Sequence, residues 1–189
     1  YSFTVDAEFR FSSPYHGINE ITDDEELTAF FEAVGSRCAF IAGLRLLSYH
    51  DQSEREMINK LIQKGHNREY AVSATEKLKE YGYINDERYA ENFADALIRR
   101  KGMSAKGIKY ELLRKGVSHE IADKTVESLD IDPILRIIDL LNTKYARYLS
   151  DEKGIKKTVS ALQRLGYSWS DIKSALHHVE TEAEVFDDV

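Results

Sequence analysis

One dense run of cationic side chains stands out in the sequence, and its chemistry is the recognition of negative charge. Seven lysines and arginines fall within 17 positions, and a single acid, Glu111, lies among them. Such side chains contact phosphate groups or acidic protein surfaces, and each engaged phosphate adds a salt-dependent increment to the affinity. The run consists of Arg99, Arg100, Lys101, Lys106, Lys109, Arg114 and Lys115.

A second, sparser basic group consists of Lys153, Lys156 and Lys157. Lysines and arginines near the end of a helix also complement its dipole, and most charge runs are solvated helix faces. Two interpretations therefore stay open for both groups. We predict that both contact a partner, and the alternative is that they serve solubility and helix stability.

The residue spacings typical of catalytic sites are absent from the sequence. It contains no phosphate-binding loop, no HExxH, no pair of cysteines in CxxC and no GxSxG. His177 and His178 are adjacent, so on a helix their side chains point about 100° apart, which is poor geometry for a shared metal. The acids from Asp23 to Glu26 would favour a helix N-terminus more readily than a cation site. We therefore expect neither an enzyme nor a metal or cofactor.

A repeated sequence motif predicts the helices that position the basic residues. Apolar runs end in Gly65, Gly116 and Gly166, which are 51 and 50 positions apart. Glycine after the last turn of a helix adopts the left-handed conformation that other residues avoid. In each case a residue that caps helices follows two positions later: Asn67, Ser118 and Ser168. The phrase therefore predicts the end of one helix and the start of the next, in three tandem copies.

Further helix starts complete each copy. Ser53, Ser104 and Asp151 are candidate caps of the helices that the glycines end, and Asp132-Pro133 is a start signal for the third copy. We predict an all-α fold of three tandem three-helix repeats, over residues 37–85, 86–131 and 132–180. About 50 residues bury too little surface for robust stability, so the repeats should stack into an elongated, curved body. Such a body presents an extended surface to a large partner.

The two ends of the chain differ from the repeats. The net charge is −7 over residues 1–36, +5 over residues 37–179 and −5 over residues 180–189. Alternating apolar residues such as Phe3 and Val5 predict a strand or hairpin, and Thr22 begins a capping box that opens an acidic helix. Residues 1–36 are thus an N-terminal extension and residues 181–189 a loose acidic tail. No membrane-spanning stretch is expected, and one cysteine, Cys38, argues against a disulfide framework.

Several phrases resemble those of a known family. Residues 81–90 read Tyr81-Gly82-Tyr83-Ile84-Asn85-Asp86-Glu87-Arg88-Tyr89-Ala90. This phrase is similar to the junction typical of the RecX family, in which a tyrosine-glycine-tyrosine turn leads into an acidic cap and a Tyr-Ala pair. Residues 44–49, 53–56 and 107–117 resemble the first two repeats of that family. Two departures are Gln52, where the family often has arginine, and the sequence Met103-Ser104-Ala105 at the start of the second helix of the second repeat.

The resemblance implies a cytoplasmic, monomeric regulator of homologous recombination. RecX proteins bind in the helical groove of the RecA filament on DNA, and they restrain filament growth, ATP hydrolysis and strand exchange. It further implies that the two basic groups contact the RecA filament or its DNA. A non-sequence-specific DNA-binding module is the alternative. A sequence-reading helix is disfavoured, because residues 118–129 contain one lysine and residues 168–180 contain only Lys173 as a strong cation.

Two expectations concern the residues of the junction itself. We expect Tyr81, Tyr83 and Tyr89 to pack between repeats, because an aromatic residue at a tight turn between helices more often packs than contacts a partner. We expect Asp86 to be the N-cap of the helix that follows.

Overall fold

A computed structural model describes residues 21–187, with side chains from residue 21 to residue 180. These residues form nine α-helices and one short 3-10 helix, and no strand occurs among them. The predicted all-α class with three-helix repeats is confirmed. The strand or hairpin predicted near the N-terminus lies outside the described residues.

The helices follow one another with short connections. Their bounds are α1 Asp24–Leu47, α2 Glu54–Gln63, α3 Arg68–Glu80, α4 Asp86–Lys101, α5 Ala105–Arg114, α6 His119–Glu127, α7 Pro133–Asn142, the 3-10 helix Ala146–Tyr148, α8 Glu152–Arg164 and α9 Trp169–Asp187. The chain divides into two compact units, and the N-terminal unit ends at Tyr89 while the C-terminal unit begins at Ala90. The division therefore falls inside α4.

The predicted stop and start signals are confirmed at all three repeats. Gly65, Gly116 and Gly166 have φ angles of 92°, 90° and 95°, in the left-handed region that favours glycine. Seven of the predicted caps have a side chain that accepts a hydrogen bond from a backbone N–H in the first turn of its helix. These caps are Ser53, Asn67, Ser104, Ser118, Asp132, Asp151 and Ser168.

Helix α1 differs from the prediction, because the acidic helix and the first helix of repeat 1 are one continuous element, Asp24–Leu47. Its N-cap is Asp23, whose carboxylate accepts the N–H of Glu26 at 2.9 Å, so the predicted capping box at Thr22 is wrong. Gly35 does not break the helix. A Cβ there would lie 2.3 Å from the Tyr70 ring, so the glycine makes room for that ring instead. The predicted boundary after residue 36 therefore falls within α1.

Two helix ends also differ from the prediction. The predicted first helix of repeat 3 is short, because α7 ends at Asn142; Tyr145 lies just before the 3-10 helix and Tyr148 ends it. The N–H of Tyr145 donates to the carbonyl of Leu140 at 2.9 Å, which closes the end of α7. At the C-terminus, α9 continues to Asp187, so the backbone of residues 181–187 is helical rather than loose.

Each unit contains an apolar cluster. In the N-terminal unit, α1, α2 and α3 pack around Ala39, Met57, Leu61, Ala71, Ala74, Leu78 and Ile84. In the C-terminal unit, α7, α8 and α9 enclose Ile137, Leu140, Leu141, Tyr145, Leu162, Tyr167, Ile172 and Ala175. Most of these positions recur at helical spacing, so one face of each helix supplies the core.

Helix α1 is also long and apolar enough to cross a membrane, judged by length and composition, unlike any other helix between residues 21 and 187. Its most apolar window has a mean hydropathy of 1.3, contrary to the expectation that no such stretch exists. The C-terminal half of α1 packs on α3, with Ala39 and Gly43 buried. A core helix of a bundle satisfies the same criterion, and the packing of Gly43 against Leu78 is of that kind.

Candidate partner-binding surface

Helix α4 ends in three of the predicted contact residues. Arg99, Arg100 and Lys101 form its last turn, where cations complement the negative end of the helix dipole. All three are exposed, and Arg99 lies 3.6 Å from the carboxylate of Asp95. This turn is held in the C-terminal unit by Arg136 of α7, whose guanidinium donates to the carbonyl of Ile98 at 3.2 Å. The three cations are therefore presented to solvent from a fixed position.

The remaining four predicted contact residues lie in helix α5 or at its C-cap, Lys115, and they have two different roles. Lys106 is exposed, and no ion pair involves it within residues 21–180. Arg114 is exposed but donates to the carboxylate of Glu111 at 2.6 Å. Lys109 is half-buried in an ion pair with Asp123 of α6, and Lys115 lies 5.9 Å from the centre of the Phe93 ring. Lys109 and Lys115 thus hold helices together, which leaves Lys106 and Arg114 as the more accessible pair.

Helix α8 exposes the second basic group. Lys153, Lys156 and Lys157 line an open hollow of about 580 Å³. Lys156 binds Glu152 at 2.5 Å, whereas Lys153 and Lys157 make no ion pair in the part of the chain that the structure describes. The hollow is also lined by Arg164, which sequence reasoning missed. Its spacing, seven positions after Lys157 and therefore on the same helical face, is the signal that could have found it.

The two helices α5 and α8, which carry basic residues, meet through their backbones, because the end of α8 contacts the start of α5. The N–H of Ser104 donates to the carbonyl of Leu165 at 3.0 Å, and a Cβ on Gly107 would lie 2.3 Å from that oxygen. The hydroxyl of Tyr167 donates to the carbonyl of Gly102 at 3.0 Å, and burial raises the pKa of Tyr167 to about 12. Within the C-terminal unit, the basic face of α5 thus begins where that of α8 ends.

The residues that follow the tyrosine-glycine-tyrosine turn connect helices within the N-terminal unit. Asn85 caps α4 by accepting the N–H of Arg88 at 2.9 Å, so the prediction that Asp86 is the N-cap is wrong. The carboxylate of Asp86 instead accepts the N–H of Glu54, at the start of α2, at 2.8 Å. Burial raises the pKa of Asp86, and the Glu54 charge adds to the rise while the hydrogen bond opposes it. Asp86 therefore links the starts of two helices.

The three junction tyrosines do not share one environment. Tyr89 is buried and its hydroxyl lies 3.4 Å from the carboxylate of Glu56; burial, followed by the Glu56 charge, raises its pKa. The expected packing is wrong for Tyr81 and Tyr83, which are 67% and 52% exposed. Tyr81 meets Phe40 edge to face at a centroid distance of 5.9 Å, and both rings line an open groove of about 800 Å³ on α1.

No group of three or more His, Cys, Asp or Glu side chains that could hold a metal occurs among the described residues. His177 and His178 are both exposed on α9. The arrangement therefore offers charge recognition at α4, α5 and α8 and an aromatic groove at α1.

Comparison with known proteins decides the family. The family model of the first three-helix domain of RecX matches residues 39–78, and that of the second three-helix domain matches residues 85–126. A regulatory protein RecX from Caldanaerobacter subterraneus subsp. tengcongensis is 32% identical over 177 residues, which span 94% of this chain and 88% of the relative. The chain belongs to the RecX family. A second regulatory protein RecX, from Trichlorobacter lovleyi, is 32% identical over 68% of this chain and 86% of its own.

Solved RecX structures share the fold. The crystal structure of RecX from Lactobacillus salivarius aligns with a TM-score of 0.63 at 22% identity, over 78% of this chain and 97% of that one. Another crystal structure of a regulatory protein RecX aligns with a TM-score of 0.67 at 20% identity, and the alignment covers 84% of this chain and 79% of that one. The resemblance stated from the junction phrase is thus confirmed. The contacts with the RecA filament or its DNA that are expected at the basic residues stay a prediction.

Proposed function

We propose that this RecX-family chain regulates RecA-dependent homologous recombination by binding the RecA filament on DNA. The observation that carries the proposal is the similarity to a regulatory protein RecX along 94% of the chain. Binding would restrain filament extension, ATP hydrolysis and strand exchange. This role needs recognition and no bond-making chemistry by the chain, which agrees with the absence of catalytic spacings from the sequence.

The exposed cations of the C-terminal unit are the proposed contact residues. Arg100, Lys101 and Lys106 are accessible and make no ion pair within residues 21–180. Cations of this kind gain from an acidic or phosphate-bearing partner without first breaking an internal pair. Complementary charge across an interface speeds association and fixes orientation, even where each contact contributes little. Lys153 and Lys157 extend the same proposal to α8.

A non-sequence-specific DNA-binding module remains the second candidate. The hollow on α8 favours it, because Lys153, Lys157 and Arg164 line one open surface. Sequence-specific recognition has less support, because α6 carries Lys124 as its only strong cation against Glu120, Asp123 and Glu127. DNA binding by this surface would ignore sequence and weaken steeply with salt.

The proposed function is tested by ATP hydrolysis of the cognate RecA on single-stranded DNA while this protein is titrated in. We expect inhibition at protein concentrations well below that of RecA, because a filament regulator acts on many RecA subunits through few contacts. Absence of inhibition would overturn the proposal. Tight, salt-sensitive DNA binding in the same preparation would then favour the second candidate.

A further inference from the structure

The second helix of every repeat exposes a row of side chains at equivalent positions. When the repeats are aligned on Gly65, Gly116 and Gly166, three positions spaced four residues apart are exposed in each copy, and none is acidic. Residues four apart lie on one face of a helix. The rows are Arg55, Asn59 and Gln63 in α2; Lys106, Tyr110 and Arg114 in α5; and Lys156, Ser160 and Arg164 in α8.

The α5 row differs from the other two at its centre. Tyr110 is 67% exposed and stands one turn from Lys106 on one side and from Arg114 on the other. Four residues of helix rise by about 6 Å, so Lys106 and Arg114 stand about that far along the helix axis on either side of Tyr110. No ring or cation packs on Tyr110 within residues 21–180, which leaves its faces open. The equivalent residues Asn59 and Ser160 have no ring.

An open aromatic ring between two cations matches the chemistry of single-stranded nucleic acid. Each nucleotide offers a flat base and a charged phosphate, and proteins bind such strands by stacking bases on aromatic side chains while cations follow the backbone. We propose that Lys106, Tyr110 and Arg114 form a contact for single-stranded DNA, with a base stacked on Tyr110 and phosphates bound by the two cations. This inference rests on the proposed function, in which the partner filament contains DNA.

The acidic residues near the α5 row leave N–H donors of Lys106 and Arg114 available to bind phosphate. Glu111 accepts a hydrogen bond from Nη2 of Arg114. A guanidinium has five N–H donors, and the Arg114 side chain is 62% exposed, so other donors stay available to a phosphate. Asp123 is occupied by Lys109. Lys106 makes no ion pair in the described part of the chain. Both cations thus have donors for phosphate oxygens.

The row should distinguish single strands from duplexes. In a duplex the bases are stacked on one another, so the Tyr110 ring cannot reach a base face and only the cations contribute. In a single strand, stacking on Tyr110 and phosphate binding by the two cations both contribute to the affinity. The α8 row, with Ser160 at its centre, offers phosphate contacts alone and is an internal reference for the α5 row.

The test compares Tyr110→Ser, which installs the residue type of the α8 row, with Tyr110→Phe, which keeps the ring. Fluorescence anisotropy measures binding of a single-stranded DNA of about 16 nucleotides and of the duplex of the same sequence. Because Tyr110→Ser removes the ring on which a base would stack, it should weaken single-strand binding about tenfold, equivalent to about 1.4 kcal/mol, and leave duplex binding unchanged. Tyr110→Phe should bind both as the wild type does, and so should the control Ser160→Ala.

Three results would overturn the inference: no binding of the single strand by the wild type, unchanged single-strand binding by Tyr110→Ser, or equal losses for single strand and duplex. The third result would assign the row to phosphates alone. RecA ATP hydrolysis in parallel separates this failure from that of the proposed function. If the protein inhibits RecA but its DNA binding does not depend on Tyr110, only the stacking contact is overturned. If DNA binding depends on Tyr110 but RecA is not inhibited, only the proposed regulation of RecA is overturned.

Discussion

In the N-terminal unit a side-chain carboxylate links helices of neighbouring repeats, whereas in the C-terminal unit the link is made by backbone. Asp86 accepts the N–H of Glu54, and Lys79 binds the Glu54 carboxylate at 2.7 Å. In the C-terminal unit the N–H of Ser104 reaches the carbonyl of Leu165, and Gly107 approaches the same oxygen. The first link contains carboxyl and ammonium groups that titrate and can rearrange, whereas the second is made by backbone groups and is joined by Tyr167, which titrates only at alkaline pH.

The difference predicts opposite sensitivities for the two links. A backbone contact made through glycine tolerates changes in pH below about 10, where tyrosine stays neutral, but it does not tolerate an added Cβ. A carboxylate link tolerates small changes of shape, because side chains turn, but its energy follows the protonation of Asp86. The C-terminal link also positions the start of α5, so the presentation of Lys106 depends on the more rigid of the two.

The largest effect is expected for Gly107→Ala. In a helix interior this change usually stabilises by up to about 1 kcal/mol, but here the new Cβ would lie 2.3 Å from the backbone oxygen of Leu165. Backbone cannot turn aside, so we expect a loss of about 1–3 kcal/mol in the free energy of unfolding, measured with urea. Gly35→Ala is the matched control, since its Cβ would meet the movable Tyr70 ring. Equal losses would contradict the comparison.

A smaller effect is expected for Tyr167→Phe, which removes the hydrogen bond to the Gly102 carbonyl. We expect a loss of about 1 kcal/mol at neutral pH, measured by urea unfolding. The pKa of Tyr167 is raised to about 12, from an ordinary value near 10, so the folded state favours the neutral phenol. Its contribution is complete below about pH 10 and is lost as pH rises through about 12.

This alkaline loss should shrink in Tyr167→Phe and persist in Tyr49→Phe, because Tyr49 is 82% exposed. An identical pH dependence for the two variants would show that the Tyr167 hydroxyl does not stabilise the C-terminal link.

The smallest stability effect, and the most pH-dependent one, is expected at Asp86. Its pKa is raised in the folded state, so the protonated form is favoured and its contribution declines as pH rises through the folded pKa, above the ordinary 3.8. Asp86→Asn keeps an oxygen for the Glu54 N–H and cannot ionise, so stability at neutral pH should match or slightly exceed that of the wild type.

Asp86→Ala removes the acceptor and should cost up to about 1 kcal/mol. Urea unfolding between about pH 3 and about pH 7 tests both variants, because this range starts below the ordinary carboxyl pKa of about 4 and extends above it, the direction in which folding shifts the pKa of Asp86. If Asp86→Asn is as unstable as Asp86→Ala, the carboxylate charge, and not its hydrogen bond, holds the link.

Local signals explain what could be predicted from the sequence. The left-handed conformation of Gly116 and the cap at Ser118 depend on residues within one helix turn, so a single sequence reveals them. The repeat spacing then implied three copies and, with the junction phrase, the family. These features involve short-range contacts whose partners lie next to each other in the chain.

Tertiary contacts explain what sequence reasoning missed. Nothing around Gly107 indicates that Leu165 lies against it, because that contact joins residues far apart in the chain. The same holds for Asp86, which has the residue type of a cap for its own helix but binds the start of α2. Lys109 and Lys115 resembled other surface cations until the structure placed Asp123 and Phe93 beside them.

We propose that the exposed cations of α4 and α5 engage the RecA filament, and RecA ATP hydrolysis with two charge-matched triple variants tests this directly. The first replaces Arg99, Arg100 and Lys106 by alanine. The control replaces Lys64, Arg68 and Lys173, three exposed cations elsewhere. We expect the first variant to need about tenfold more protein for half-inhibition, a loss of about 1.4 kcal/mol, and the control to match the wild type. Superimposable titrations of all three folded proteins would contradict the claim.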